Sequence, residues 1–229
     1  MAIGIVSGLR RETHCLTTPG TANTDKLTFA GVGPERAEAG ARELIAKGAG
    51  ALVSFGVAGG IAPEISAGTL ILARAVVFGD TIFETTTSWR QSLKDMLPPN
   101  IIIEEGPIVG VDKMIASPEA KQRLHANTGA LACDMESHSV AQVAAEVGLP
   151  FIAVRAISDP AGRDVPKWVL HCLSGEGDVD YQSLILALAR RPWALPALMA
   201  LAGNSKKAFG ALRRVARAAG PSLGFSGGR

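Results

Sequence analysis

Cysteine is scarce. Three residues in 229, Cys15, Cys133 and Cys172, are too few and too unevenly spaced for a disulfide framework or a zinc site, which points to a reducing compartment. The four histidines (His14, His125, His138 and His171) stand apart from one another, and no pair has metal-ligand spacing. No uninterrupted apolar run reaches the roughly 18 residues that a membrane-spanning helix needs. The opening stretch "MAIGIVSGLRRE" lacks a basic start and a cleavage site, so no signal peptide is expected and the expected location is the cytoplasm. Acidic residues are missing altogether after Asp180, where eight basic ones remain, leaving 15 basic against 21 acidic residues before that point. An asymmetry of this kind marks a tail with a partner of its own.

What is present is a globular composition, 47% apolar and 19% charged, in a length that suits one buried core. Apolar runs at 2–7, 27–32, 50–56, 69–78 and 150–157 read as strands, and their lack of alternation predicts burial on both faces. Helix patterns lie between them. Pro34 opens one whose apolar face is Ala37, Ala41, Leu44 and Ile45, and Gly48 closes it. A second runs from about Glu136 to Val147, with Val140, Val143, Ala144 and Val147 expected inward and Gly148 and Pro150 as its stop. Alternating strands and helices predict an α/β layer fold with a largely parallel sheet.

That order predicts where the acidic residues go. A helix that precedes a parallel strand runs back against it, so the helix start at Glu136 and the strand end at Asp159 share one sheet edge. Glu12, a few residues after the first strand, and the glycine-rich "SFGVAGG" at 54–60 reach the same edge, which predicts a site with three carboxylates. Asp159, ending an apolar strand, is the candidate for a raised pKa and an acid role. Glu136, at the positive end of a helix, is expected to stay ionised and accept hydrogen bonds from sugar hydroxyls. Glu12, on a loop, is expected to hold a water. The glycines let a backbone approach a ligand closely, and Met135 is a core filler or a soft surface for a flat base. Each acid also has a plainer reading, Glu136 as a first-turn charge and Asp159 as a turn residue before Pro160.

Taken together, "IGIVSGLRRE", "GVAGGIAP", "DMES" and "VRAISD" resemble the purine nucleoside phosphorylase superfamily, and especially its 5'-methylthioadenosine/S-adenosylhomocysteine nucleosidases, over residues 1–160. The resemblance implies a three-layer nucleoside phosphorylase-like fold and a catalytic domain, taken to run over 1–180. It implies roles too: Glu12 as the base that activates water, Asp159 as the acid that protonates the purine, Met135 and Glu136 as ligands of base and ribose. Met114 and Ile115 match positions beside the base, with Ser158 and Arg155 as supporting groups. Val57 stands where these nucleosidases carry a serine. Arg10 and Arg11 stand where they carry acids, and two guanidinium groups beside Glu12 are candidates for binding phosphate as a co-substrate. Neither a metal nor an organic cofactor is implied, and a homodimer is expected.

Residues 181–229 read as a basic helical extension. On a helical wheel Lys206, Lys207, Arg213, Arg214 and Arg217 share one arc, and Ala208, Phe209, Ala211, Leu212, Val215 and Ala216 the other. Two readings stay open: an interfacial helix over 192–219 on the anionic inner face of the cell membrane, or a helix packed on its own domain or a partner copy. The tail lacks an aromatic stacking pattern, so no nucleic-acid partner is expected. The whole chain, tail included, resembles the hopanoid-associated phosphorylases, which implies an adenosyl lipid, adenosylhopane, as substrate, with Trp168, Val169 and Leu170 and the tail beside its lipid group. A soluble methylthioadenosine/S-adenosylhomocysteine nucleosidase is the alternative.

Overall fold

The computed structural model describes residues 2–16, 26–164 and 192–227, together with Leu186 and Arg190. Trp168, Val169 and Leu170 therefore lie outside the described residues. One ten-stranded mixed sheet forms the middle layer. Its centre is the parallel set β2 (Lys26–Ala30), β1 (Ala2–Ser7), β3 (Ala49–Gly60) and β10 (Phe151–Asp159). Beyond β10 lie β4 (Leu70–Leu72), antiparallel to it, and β7 (Ile103–Glu104). The far end of β3 pairs antiparallel with β9 (Ala132–Asp134), which continues through β8 (Ile108–Gly110) and β5 (Ala75–Phe78) to β6 (Thr81–Glu84). The run at 69–78, expected as one strand, breaks at Ala73 and Arg74, where the chain leaves β10 and joins β8.

Alternation along the central strands sends side chains into two cores. Ile3, Ile5, Ala51, Val53, Phe55, Ile152 and Val154 face one; Leu52, Phe151, Ala153 and Ile157 face the other. Helices α2 (Pro34–Ala46) and α5 (Ser137–Val147) cover the second core with Ala37, Ala41, Leu44, Val140, Val143 and Ala144, as their sequence period announces, whereas Val147, expected inward, lies in the last turn and is 50% exposed. Gly148, left-handed at φ 68°, ends α5. The first core is covered by α1 (Arg10–Cys15), α3 (Thr87–Met96) and the long C-terminal helix α6 (Leu195–Ala219). Helix α4 (Pro118–Thr128), capped by the Ser117 hydroxyl, completes the set.

Helix α6 settles one of the two readings of the tail for its second half. Ala208, Phe209, Ala211, Leu212, Val215 and Ala219 are buried in the first core, so this apolar arc packs on its own domain and is not free to enter a bilayer. Its first half and the 3-10 turn before it (Pro192–Ala194) are different: Trp193 in that turn is 75% exposed, Leu195 47% and Met199 67%. Among the described residues no helix is long and apolar enough to cross a membrane.

Candidate active site

The carboxyl ends of β1, β3 and β10 and the start of α5 surround an open cavity of about 800 Å³, a volume that includes its solvent-filled mouth. Glu12, Val57, Met114, Ile115, Met135, Glu136, Ser158 and Asp159 all line it, with Leu9, Val32 and Val111 adding apolar wall. Eight of the ten candidate residues are thus brought together. Arg10 and Arg11 are exposed and do not line the cavity; the Arg11 guanidinium lies 5.0 Å from the ring centre of Phe209 on α6. Glu12 is in helix α1, not a loop, and residues one and two positions before it on a helix point elsewhere.

Glu12 is 2% exposed. Its Oε2 accepts the Leu9 amide at 2.8 Å and its Oε1 the Val57 amide at 2.7 Å. Burial pushes its pKa up to about 7, against the opposing pull of Arg155 and these two amides. Glu136, the residue just before α5, accepts the Gly33 amide at 3.0 Å on Oε1, and burial raises its pKa as well, with Arg155 again opposing. At 7% exposed, Glu136 is desolvated enough for burial to outweigh the amide and the Arg155 charge that favour its ionised form.

Asp159 does not sit alone at the end of an apolar strand: Oδ2 accepts Lys121 Nζ from α4 at 2.7 Å and Oδ1 accepts the Ser158 hydroxyl at 2.7 Å. Glu12 is the more deeply buried of the two carboxyls, and among the described residues no ammonium reaches it.

Arg155, expected only as a supporting group, is the centre of a buried polar hub whose other members sequence reasoning did not single out. Arg155, wholly buried in β10, gives Nε to Asp134 Oδ2 at 2.7 Å and Nη2 to the hydroxyls of Ser54 at 2.6 Å and Ser137 at 2.9 Å. Asp134 in turn accepts the amides of Glu136 at 3.0 Å and Ser137 at 2.7 Å, fixing the start of α5. Arg155 Nη1 has no hydrogen-bond partner among the described residues and points toward Gly56. A Cβ on Gly56 would lie 2.4 Å from that nitrogen and 2.6 Å from Glu12 Oε1. The glycine-rich segment is strand through Gly60 rather than a turn, and the close approach it permits is by these two side chains. The only sequence signal for the hub was a charged residue inside an apolar run. Among the described residues no cluster of three or more His, Cys, Asp or Glu is placed to hold a metal.

The family model of the phosphorylase superfamily matches residues 11–176. The chain belongs to this superfamily. A futalosine hydrolase of Streptomyces coelicolor is 31% identical over 166 residues, covering 62% of this chain and 70% of that protein. A 5'-methylthioadenosine/S-adenosylhomocysteine nucleosidase of a Shewanella species is 27% identical, covering 61% and 68%. Among solved structures, this phosphorylase-superfamily chain superposes on the futalosine hydrolase of Helicobacter pylori with a TM-score of 0.67 at 20% identity, over 94% of this chain and 97% of that one. It superposes on the methylthioadenosine/S-adenosylhomocysteine nucleosidase of Neisseria meningitidis, in complex with methylthio-immucillin-A, at 0.70 and 15% identity, over 93% and 96%. At these identities the structural likeness concerns the fold.

Proposed function

We propose that the chain is a purine nucleosidase that hydrolyses the N-glycosidic bond of an adenine nucleoside. The observation that carries this is Glu12, a buried carboxyl near neutrality in its proton affinity that lines the cavity beside Glu136 and Asp159. A base works best when its pKa lies near the working pH. Glu12 takes a proton from a water on the cavity side of its carboxylate; the water oxygen attacks the sugar carbon as the bond to the base breaks. Asp159 gives a proton to the departing ring, which is a poor leaving group without it. Glu136 accepts the ribose hydroxyls, and Met114, Ile115 and Met135 pack on the base. The carboxylates of Glu12 and Glu136 stabilise the cation-like sugar.

Water rather than phosphate is the proposed nucleophile. The two backbone amides that an anion would need, from Leu9 and Val57, are already taken by Glu12. Arg10 and Arg11, the expected phosphate ligands, stand outside the cavity.

The finer reading is an adenosyl lipid, adenosylhopane. It is supported by an apolar cavity wall and by a groove from Asp159 to Ala197, Ala200, Leu201 and Asn204 on the exposed, apolar first half of α6. Residues 1–180 then do the chemistry, and the extension from 181 both buttresses the core and offers Trp193, Leu195 and Met199 to a membrane surface from the cytoplasmic side. The assembly proposed is a homodimer. A second reading, a soluble methylthioadenosine/S-adenosylhomocysteine nucleosidase, is favoured by the names of the relatives at 27% identity.

The test is adenine release from adenosylhopane in liposomes and from methylthioadenosine, each with and without phosphate. Phosphate-independent release from the lipid is expected. Release from methylthioadenosine alone moves the assignment to the second reading, and a requirement for phosphate overturns hydrolysis. Trp193→Ser and Met199→Ser are expected to weaken liposome binding; unchanged binding removes the membrane claim.

A further inference from the structure

Lys121 is wholly buried, yet it lies on a helix that is otherwise largely polar and partly exposed. Burying an ammonium is expensive, and a methionine of similar length would pack there at less cost. All three acceptors of Lys121 Nζ come from one dipeptide: Asp159 Oδ2 at 2.7 Å, Asp159 O at 3.1 Å and Pro160 O at 3.2 Å. With Ser158 on Oδ1, both oxygens of the Asp159 carboxyl are fixed, and so is the backbone where β10 ends. The loop leading into the same helix carries Met114 and Ile115 on the cavity wall. Lys121 therefore ties that wall to the carboxyl opposite it.

We propose that Lys121 is a positioning residue that orients Asp159 toward the departing base. The inference rests on the reading of Asp159 as the acid. The groups that face Asp159 are Lys121 from α4, the Cys133 thiol from β9 and, in the adjoining groove, Arg163 and Asp164; Glu12, Asp134 and Glu136 line the same cavity. Lys121 is the one cation among them in contact with the carboxyl. Its removal costs Asp159 its aim.

The experiment is steady-state kinetics of adenine release from methylthioadenosine by wild type, Lys121→Met, Lys121→Arg, Asp159→Asn and the double variant Lys121→Met with Asp159→Asn, with circular dichroism to verify folding. Lys121→Met is expected to lower kcat by about 10²-fold, the scale of a misplaced catalytic group, with little change in KM, and Lys121→Arg to restore part of the rate. In the Asp159→Asn background Lys121→Met is expected to add little, because it acts through the carboxyl already removed. Losses that multiply in the double variant, or a folded Lys121→Met protein with kcat preserved, overturn the proposal; Lys121→Gln takes its place if methionine prevents folding. An Asp159→Asn protein with undiminished release defeats the acid assignment instead.

Discussion

Glu12 and Arg155 face one another across Gly56 with no hydrogen bond between them, both reaching within 3 Å of where that residue's side chain would start. Glu12 thus sits buried beside a cation without direct contact, and burial outweighs the pull of Arg155, which is how its proton affinity comes to lie near neutrality. If it is the base, the rate follows the fraction of Glu12 that has lost its proton. Activity is expected to fall as pH drops through about 7, and Glu12→Gln is expected to lose on the order of 10²–10⁴-fold. The pH profile of kcat/KM for adenine release, with circular dichroism to verify folding, checks both.

The same shift has a signature in stability. Folded Glu12 holds its proton up to about 7 against an ordinary value of 4.5, so the folded state binds more protons between those limits. Stability therefore decreases as pH rises from the lower value to the upper and is level beyond it, by about 3 kcal/mol from this group. Urea unfolding at pH 5 and pH 8 is expected to show that decline in the wild type and a smaller one in Glu12→Gln. Glu136, raised in the same direction, keeps its own share of the slope.

The meeting of Glu12, Glu136 and Asp159 at one edge was legible in the sequence because strand and helix order dictates it. Helices α2 and α5 were legible because Pro34, Gly48 and Gly148 punctuate clean apolar periods. What was not legible depends on depth and direction. Arg10 and Arg11 adjoin Glu12 in sequence, but a helix turns about 100° per residue and carries them off the cavity. Lys121 belongs to a run, "PEAKQRLHANT", that reads as a solvated helix, and only the packing of α4 on the end of β10 buries it. The amphipathic arc of α6 has the same pattern whether it meets a bilayer or a protein core; the sheet face left uncovered by α1 and α3 decides it.

Arg155 and Asp134 form a buried pair in which each satisfies the other. Removing one partner strands the second charge. Arg155→Met is expected to cost about 3–5 kcal/mol, and Arg155→Met with Asp134→Asn less than the two single losses added together, because the double variant no longer strands the Asp134 charge. A double-mutant cycle by chemical denaturation measures the difference.

Gly56 offers the sharpest separation of site geometry from general stability. A methyl group there would sit 2.4 Å from Arg155 Nη1 and 2.6 Å from Glu12 Oε1, so one or both must move. Arg155 is anchored on its other side by Asp134, Ser54 and Ser137, whereas Glu12 hangs on two backbone amides of flanking segments. Glu12 is the side chain that yields. It also loses the alignment of the Val57 amide next to the substituted residue. Gly56→Ala is therefore expected to lower kcat by about 10²-fold, the cost of a displacement near 1 Å at a catalytic group, with a smaller effect on KM because Met114, Ile115 and Glu136 are untouched. Steady-state kinetics on Gly56→Ala separates the two parameters, and a rise in KM with kcat preserved would place Gly56 in substrate binding rather than in the seating of the base.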